Sequence, residues 1–349
     1  MGGNALKEYG TIVLSKENYD RVSIDIKSLI KRHYPDKFCD VISAYRKKDY
    51  FGDCDILIES SINKDELLDK IRSVYGDIPY KKNGNVLSIG IPHQNFFFQV
   101  DLISEHSEHM HFSYCYFSYN DLGNLIGRIA HKLGLKFGHD GLFAVVRDGN
   151  YKNNIRLTVD YKEAIEYLGF SYDRYMMGFD DLEDIFNFVI KSQYFNKEIY
   201  LLENRNHIAR TRDKKRKTYM EFLRWINIQK NLTEYQFDDD KKLYIKQALE
   251  FFGKTDEYEK ILSSLEEKRK ISNKFNGLIV SELTGLTGKE LGFFLNVLKQ
   301  FIDNDNINLM ELDQKQINDF IIRVYFLYNG FVMTRTTVDE IYASSKTLL

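Results

Sequence analysis

Residues 41–59 read VISAYRKKDYFGDCDILIE and residues 96–104 read FFFQVDLIS. In the first stretch Asp53 and Asp55 stand two apart at the head of the apolar run Ile56-Leu57-Ile58, a pattern that predicts a strand. Side chains alternate along a strand, so both carboxylates leave from the same face. The second stretch predicts another strand, with Asp101 following three phenylalanines. If the two strands are neighbours, three carboxylates converge on one point. Such a group is costly unless something neutralises it. Divalent cations do so: Mg²⁺ takes a few carboxylates together with waters and substrate phosphates, and two such ions clamp the attacking and leaving oxygens of a phosphoryl displacement. The bland alternative is two solvated strand-end aspartates and an unrelated third. Gly52 before the pair, the apolar run after it and the apolar setting of Asp101 favour the site.

Around this centre, CDVISAY, CDILIES, NVLSIGI and NFFFQVDLIS predict strands between 38 and 147, interrupted by a turn at 83–85 and a helix in KDELLDKIRSVYG. An amphipathic helix is expected in YDRVSIDIKSLIKRHY, with Val22, Ile24, Ile26, Leu29 and Ile30 as its apolar positions. In the aromatic run 112–119 ordinary strand packing is the bland reading, expected for Phe112 and Tyr114, whereas Tyr116 and Phe117 are expected to line a pocket. Helices are expected over 120–136, in TVDYKEAIEYLG and DLEDIFNFVIKS, and almost throughout from residue 200 onward. The resulting division is an N-terminal arm and helix over 1–37, an α+β core over 38–150, a helical extension over 151–200 and a helical domain over 201–349. Gly2, Gly3 and Asn4 belong to the arm.

The 41–59 stretch resembles the signature of the family X DNA polymerases, within the DNA polymerase beta superfamily of nucleotidyltransferases. There a Gly-Ser turn and an Arg-rich segment precede a Gly-Asp-x-Asp strand. The resemblance implies a nucleotidyltransferase palm in which Ser43 and Arg46 contact the triphosphate and Gly52 lets the backbone approach. It also implies that Asp53 and Asp55 bind two Mg²⁺ ions, with Mn²⁺ as a substitute, and that Asp101 binds the one that activates a 3′-hydroxyl. Downstream, CYFSYNDLGNLIGRIAHKLGLKFGHDGLF is similar to the family's nucleotide-selection helix. By that similarity Tyr116 and Phe117 pack against the sugar, Asp121 and Asn124 lie by the incoming base, and Arg128 reaches toward the nascent pair. Three positions depart from the pattern: Ile42 replaces the turn glycine, Tyr119 replaces the glycine after the aromatic pair, and Gly123 replaces an aromatic. No helix-hairpin-helix region precedes the palm. Near the C-terminus, KFNGLIVSELTGLTGKELGFFLNVLKQFI is similar, with a one-residue gap, to the terminal segment of CCA-adding tRNA nucleotidyltransferases.

The basic run RNHIARTRDKKRKTYMEFLRWI offers Arg210, Arg212, Lys214, Lys215, Arg216 and Lys217 to a polynucleotide backbone; a solvated helix start is the alternative. The partners expected are therefore a nucleoside triphosphate and a DNA or RNA 3′ end. The enzyme readings are a DNA polymerase X-like nucleotidyltransferase or a template-independent transferase acting on RNA, such as a tRNA 3′ end. A catalytically silent nucleic-acid-binding module and a modifier of proteins or small molecules are the readings of other classes. The net charge of -2 argues against a wholly basic binder. Three cysteines without a CxxC pair argue against a disulfide framework or zinc knuckle and fit a reducing cytoplasm, or the host's if the protein is viral. No apolar run reaches the ~18 residues that span a bilayer, so no membrane partner is expected. The histidines around His106, His109 and His111 are assigned no function.

Overall fold

The computed structural model describes residues 5–148 and 151–332; the Gly2–Asn4 arm lies outside them. The chain divides into two compact units, Met1–Thr255 and Asp256–Leu349. Its order begins β1 (Leu14–Ser15), α1 (Lys16–His33), β2 (Cys39–Val41), β3 (Tyr50–Phe51), β4 (Asp53–Glu59), α2 (Lys64–Tyr75), β5 (Tyr80–Asn83), β6 (Val86–His93) and β7 (Phe96–Glu105). Five of these strands form a mixed sheet in the order β2-β4-β7-β6-β5. β4 and β7 run parallel at its centre, and the other neighbours are antiparallel. The fold is α+β.

Period-2 alternation explains how this sheet is dressed. Cys54, Ile56 and Ile58 of β4 and Phe98, Val100 and Leu102 of β7 form one buried core with Ile26, Leu29 and Ile30 of α1 and Leu67, Leu68 and Ile71 of α2. The apolar positions of α1 are expected to fall only partly on one face, and they do: Ile24 is 61% exposed, while Tyr19, Ile26 and Ile30 mark the stripe that meets the sheet. Asn63 caps α2, its Oδ1 accepting from the N–H groups of Asp65 at 2.9 Å and Glu66 at 3.4 Å. Since α1 shares the sheet's core and β1 pairs with β3, residues 1–37 are part of the first unit rather than a separate segment.

The chain continues through α3 (Met110–Phe117), α4 (Leu122–Lys132), β8 (Leu135–Gly138), β9 (Gly141–Asp148), β10 (Tyr151–Thr158), α5 (Tyr161–Tyr167), α6 (Tyr172–Met176) and α7 (Leu182–Ile190). Strands β8, β9 and β10 form an antiparallel sheet, so a boundary at 150 would cut the β9–β10 hairpin. Phe112 and Tyr114, expected in strand packing, instead lie on helix α3, which covers most of the run 112–119. Periodicity alone cannot separate a strand from a helix enclosed on several sides. Here Phe112 packs on Phe137 and Tyr161, Tyr116 on Phe137, and Tyr114 against Phe38.

Helices α8 (His207–Lys214), α9 (Lys217–Ile228) and α10 (Lys241–Phe251) complete the first unit. A boundary near 195–205 was expected; the division falls at Thr255 instead. The cause is burial across the expected junction. Tyr219 donates to the Tyr200 carbonyl at 2.7 Å, Phe222 packs on Phe186 and Tyr200, and Arg205 is paired at 2.8 Å with fully buried Asp213. The second unit holds α11 (Thr255–Lys274, which starts at the junction), α12 (Gly277–Thr284), α13 (Gly288–Asn304) and α14 (Gln314–Val332) around a core of Val280, Phe294, Val297, Leu298, Ile317 and Ile321. In the Gly-rich turn between α12 and α13, Gly285 and Gly288 both take positive φ, 74° and 56°. Among the described residues no helix is long and apolar enough to cross a membrane.

Candidate metal centre

The strand face opposite α1 and α2 carries Asp53, Asp55, Gln99 and Asp101. In the parallel β4/β7 ladder Asp55 stands directly opposite Asp101 and Asp53 opposite Gln99. The three aspartates each offer a carboxylate oxygen, and these atoms lie within 4.8 Å of one another. The group could hold a metal ion. Two details fit that chemistry. Asp55 Oδ1 is closed off from water and has no hydrogen-bond partner, although an ionised carboxylate accepts several bonds wherever it can. Burial, followed by the charges of Asp53 and Asp101, pushes the Asp55 carboxyl up to about 7. A cation supplies the compensation that both features lack.

The site has a supporting layer that the sequence did not announce. Gln99, itself buried, donates its Nε2 to both oxygens of Asp101 at 3.0 Å, and its Oε1 accepts from the Leu6 N–H at 3.1 Å. Burial raises the Asp101 pKa, while bonds from Ser88 and Gln99 oppose the rise. Lys48 sits with its Nζ 4.5 Å from the centre of the Phe51 ring. Burial lowers its pKa, against the pull of Asp53 and Asp55. Only the alternation on β7 hinted that residue 99 shares the face of residue 101.

The other sequence candidates fall into distinct settings. The Ile42 N–H donates to the Asp55 carbonyl at 2.9 Å, so Ser43 leaves the sheet immediately beside the carboxylate strand. Its hydroxyl is 2.8 Å from that of Tyr114, on the wall of a cavity of about 340 Å³ that also borders Phe38, Asp40, Tyr119 and Tyr175. The space in front of Gly52 is open: a Cβ there would touch nothing within 4 Å. Arg46 is exposed and already engaged, paired to Asp180 at 2.5 Å and donating to the Met177 carbonyl.

Tyr116 and Phe117 end α3, and the Phe117 ring stacks on His139 at 5.6 Å. Gly123 is demanded by this packing, since a Cβ would lie 2.4 Å from the Tyr116 carbonyl oxygen. Tyr119, standing where the resembled motif has glycine, adopts φ 62°. Its N–H donates to the Ser43 carbonyl at 2.7 Å and its ring packs on Phe179 at 4.8 Å, which holds a conformation costing about 1–2 kcal/mol for a residue with a Cβ. Asp121 pairs with Arg216, and Arg128 donates to the Ile199 carbonyl at 3.0 and 3.3 Å. Asn124 Nδ2 is buried without a partner. Asp121, just before α4, and Arg128 within it are therefore turned toward the 199–216 segment.

Within the basic run, Arg210 donates to the Arg205 carbonyl and Arg212 and Arg216 pair with Asp213. Lys214, Lys215 and Lys217 are exposed and stand outside those pairs. The structure thus brings Asp53, Asp55 and Asp101 together and engages Arg46, Asp121, Arg128 and Arg216 in internal contacts. In comparisons with known proteins, no family model and no curated sequence matches the chain.

Proposed function

We propose that the chain is a metal-dependent nucleotidyltransferase that joins a nucleotide from a nucleoside triphosphate to a 3′-hydroxyl of DNA or RNA and releases pyrophosphate. The observation that carries the proposal is the carboxylate triad: Asp55 and Asp101 in register on adjacent parallel strands, Asp53 on the same face, and a buried Asp55 oxygen with no partner. In this reading Asp53 and Asp55 hold two Mg²⁺ ions, or Mn²⁺, and Asp101 holds one of them. Bound there, the ions supply charge neutralisation at the triphosphate and acidify the attacking hydroxyl. The protein's own part is positioning and exclusion of water. Gln99 fixes the plane of the Asp101 carboxylate, the open space before Gly52 admits a phosphate close to the backbone, and Ser43 offers a hydroxyl at the rim of the neighbouring cavity. The 3′-hydroxyl oxygen bonds to the α-phosphorus as the bond to the bridging oxygen breaks. Lys214, Lys215 and Lys217, and the helical second unit, are the surfaces proposed for the polynucleotide.

A silent binding module would be favoured by an Asp101 distant from the other two, and Asp101 stands opposite Asp55. The sugar and acceptor divide the remaining enzyme readings. The test is an extension assay with the full chain, Mg²⁺ and end-labelled primed DNA, single-stranded DNA or truncated tRNA, each with all dNTPs and NTPs. Templated growth with dNTPs supports a DNA polymerase X-like enzyme, and growth of RNA with NTPs a tRNA-type transferase. An Asp53→Asn/Asp55→Asn variant must abolish either. Failure of every acceptor with a folded, metal-loaded protein rejects the proposal.

A further inference from the structure

Four residues beyond Asp101, on the same face of β7, stands Glu105, a second buried carboxylate. Leu57 and Ile103, buried in a cluster with Ile42 and Met110, separate it from the aspartates. Two histidines face it. His109, which ends the 3-10 turn Ser107–His109, puts its Nε2 3.1 Å from Glu105 Oε2. His139, in the turn between β8 and β9, puts its Nδ1 3.1 Å from Glu105 Oε1. The three ligand atoms lie within 4.8 Å of one another.

The His109 contact has hydrogen-bond geometry, whereas His139 Nδ1, closed off from water, stands at ion-pair distance from Oε1 without the alignment of a hydrogen bond. Two imidazole nitrogens thus crowd one carboxylate, with the second off the donor line. That is the arrangement of ligands directed at a common point rather than at each other. Ligands bound tetrahedrally at ~2.0–2.2 Å stand roughly 3.3 Å apart, and each imidazole nitrogen stands 3.1 Å from its own oxygen of the carboxylate, His109 from Oε2 and His139 from Oε1. The setting also holds the would-be ligands still: Asn85 Nδ2 donates to Glu105 Oε1 at 3.1 Å, and the Phe117 ring lies against His139 with 17° between planes. Supporting contacts of this kind orient ligands at metal sites.

We propose that Glu105, His109 and His139 form a binding site for a divalent transition metal of the zinc class, separate from the aspartate triad. Two imidazoles and a carboxylate suit zinc, whereas an all-oxygen set suits magnesium. Three protein ligands leave a fourth position for water. The ion ties the end of β7 to the β8–β9 turn and so links the two sheets beside Tyr116 and Phe117. His111 is not part of the site; its Nε2 is 3.5 Å from the Tyr172 hydroxyl. The proposal does not depend on the nucleotidyl-transfer reading.

The test uses the full chain stripped with EDTA, reloaded with Zn²⁺, freed of excess metal by gel filtration and analysed by elemental mass spectrometry. Competition with a chromophoric chelator gives the affinity, and Co²⁺ substitution gives a visible spectrum that reports nitrogen ligation. The expected result is one zinc per chain, with affinity lowered at least about 100-fold by His139→Ala, the upper end of what changes in supporting contacts alone produce. Glu105→Gln should act likewise; because it alters a buried group, His139→Ala, at a half-exposed residue, carries the decision if Glu105→Gln does not fold. Asp53→Asn/Asp55→Asn should leave zinc binding unchanged. Substoichiometric zinc in the wild type, an unaltered affinity in His139→Ala, or loss of zinc in the aspartate variant overturns the assignment.

Discussion

Replacing Asp55 with asparagine should stabilise the metal-free protein at alkaline pH, the opposite of the usual effect of altering a buried polar residue. Burial and the neighbouring Asp53 and Asp101 raise the Asp55 carboxyl from the ordinary value of 3.8 to about 7. Folding therefore favours the protonated form. Its contribution is intact below about pH 4, where the unfolded chain is also protonated, and is lost as pH rises through about 7. One pKa unit corresponds to about 1.4 kcal/mol, so the full shift represents about 4 kcal/mol of destabilisation at pH 8. Asp55 as a residue is only half-buried, so solvent screens part of this, and a gain of about 2–4 kcal/mol is expected for Asp55→Asn.

The assay is urea unfolding of EDTA-treated protein at pH 8 and pH 5, followed by fluorescence of Trp225. This is the chain's single tryptophan, it sits in the first unit on α9, and its ring lies 5.7 Å from that of Phe186. The signal thus reports the unit that contains the triad. The advantage of the variant should shrink at pH 5, and saturating Mg²⁺ should reverse it by stabilising the wild type alone. A variant less stable than wild type without metal at pH 8, or equally favoured at both pH values, would refute the electrostatic account of the site.

Three further outcomes are expected. Gln99→Leu removes the donor to Asp101, and should weaken Mn²⁺ binding by calorimetry about 10- to 100-fold while leaving Asp53 and Asp55 in place. Asp213→Ala strands the buried Arg205 guanidinium and should destabilise the first unit by about 3–5 kcal/mol in the Trp225 unfolding assay. Changing Lys214, Lys215 and Lys217 together to glutamine should flatten the salt dependence of single-stranded nucleic-acid binding, measured by anisotropy, by about 2 in log-log slope if all three meet phosphates. An unchanged slope would remove that helix junction from the binding surface.

What the sequence disclosed and what it hid divide along physical lines. Strands β4 and β7, the 83–85 turn and helices α1 and α2 were legible because each shows the local period of its element. The convergence of Asp53, Asp55 and Asp101 was legible only on the condition that their strands be neighbours, which no local pattern states. Arg46, Asp121 and Arg128 show the limit of motif reasoning. Spacing placed them, but their partners Asp180, Arg216 and Ile199 lie 71 to 134 residues away and are set by tertiary packing. The strand packing expected for Phe112 and Tyr114 failed for the same reason, since aromatic residues buried on several sides of α3 carry no distinguishing period. Glu105 and His139, 34 positions apart, gave no motif at all.

The core and the chemistry of the central sheet depend on each other through register. A one-residue slip of β4 or β7 would turn Cys54, Ile56, Val100 and Leu102 away from α1 and α2 and drive the carboxylates into the apolar layer. Those four side chains are fully buried, and Ile56, Val100 and Leu102 each contribute roughly 1.5–3 kcal/mol. The sum exceeds the roughly 4 kcal/mol by which ionised Asp55 opposes folding at pH 8. The apolar face thus holds in place a polar face that would spread apart by itself. The same alternation then orders that face along the strands: aspartates and Gln99 first, the Leu57–Ile103 layer next, and Glu105 with its histidines last. Two carboxylate groups with different donor sets are thus kept apart along one pair of strands by a single apolar layer.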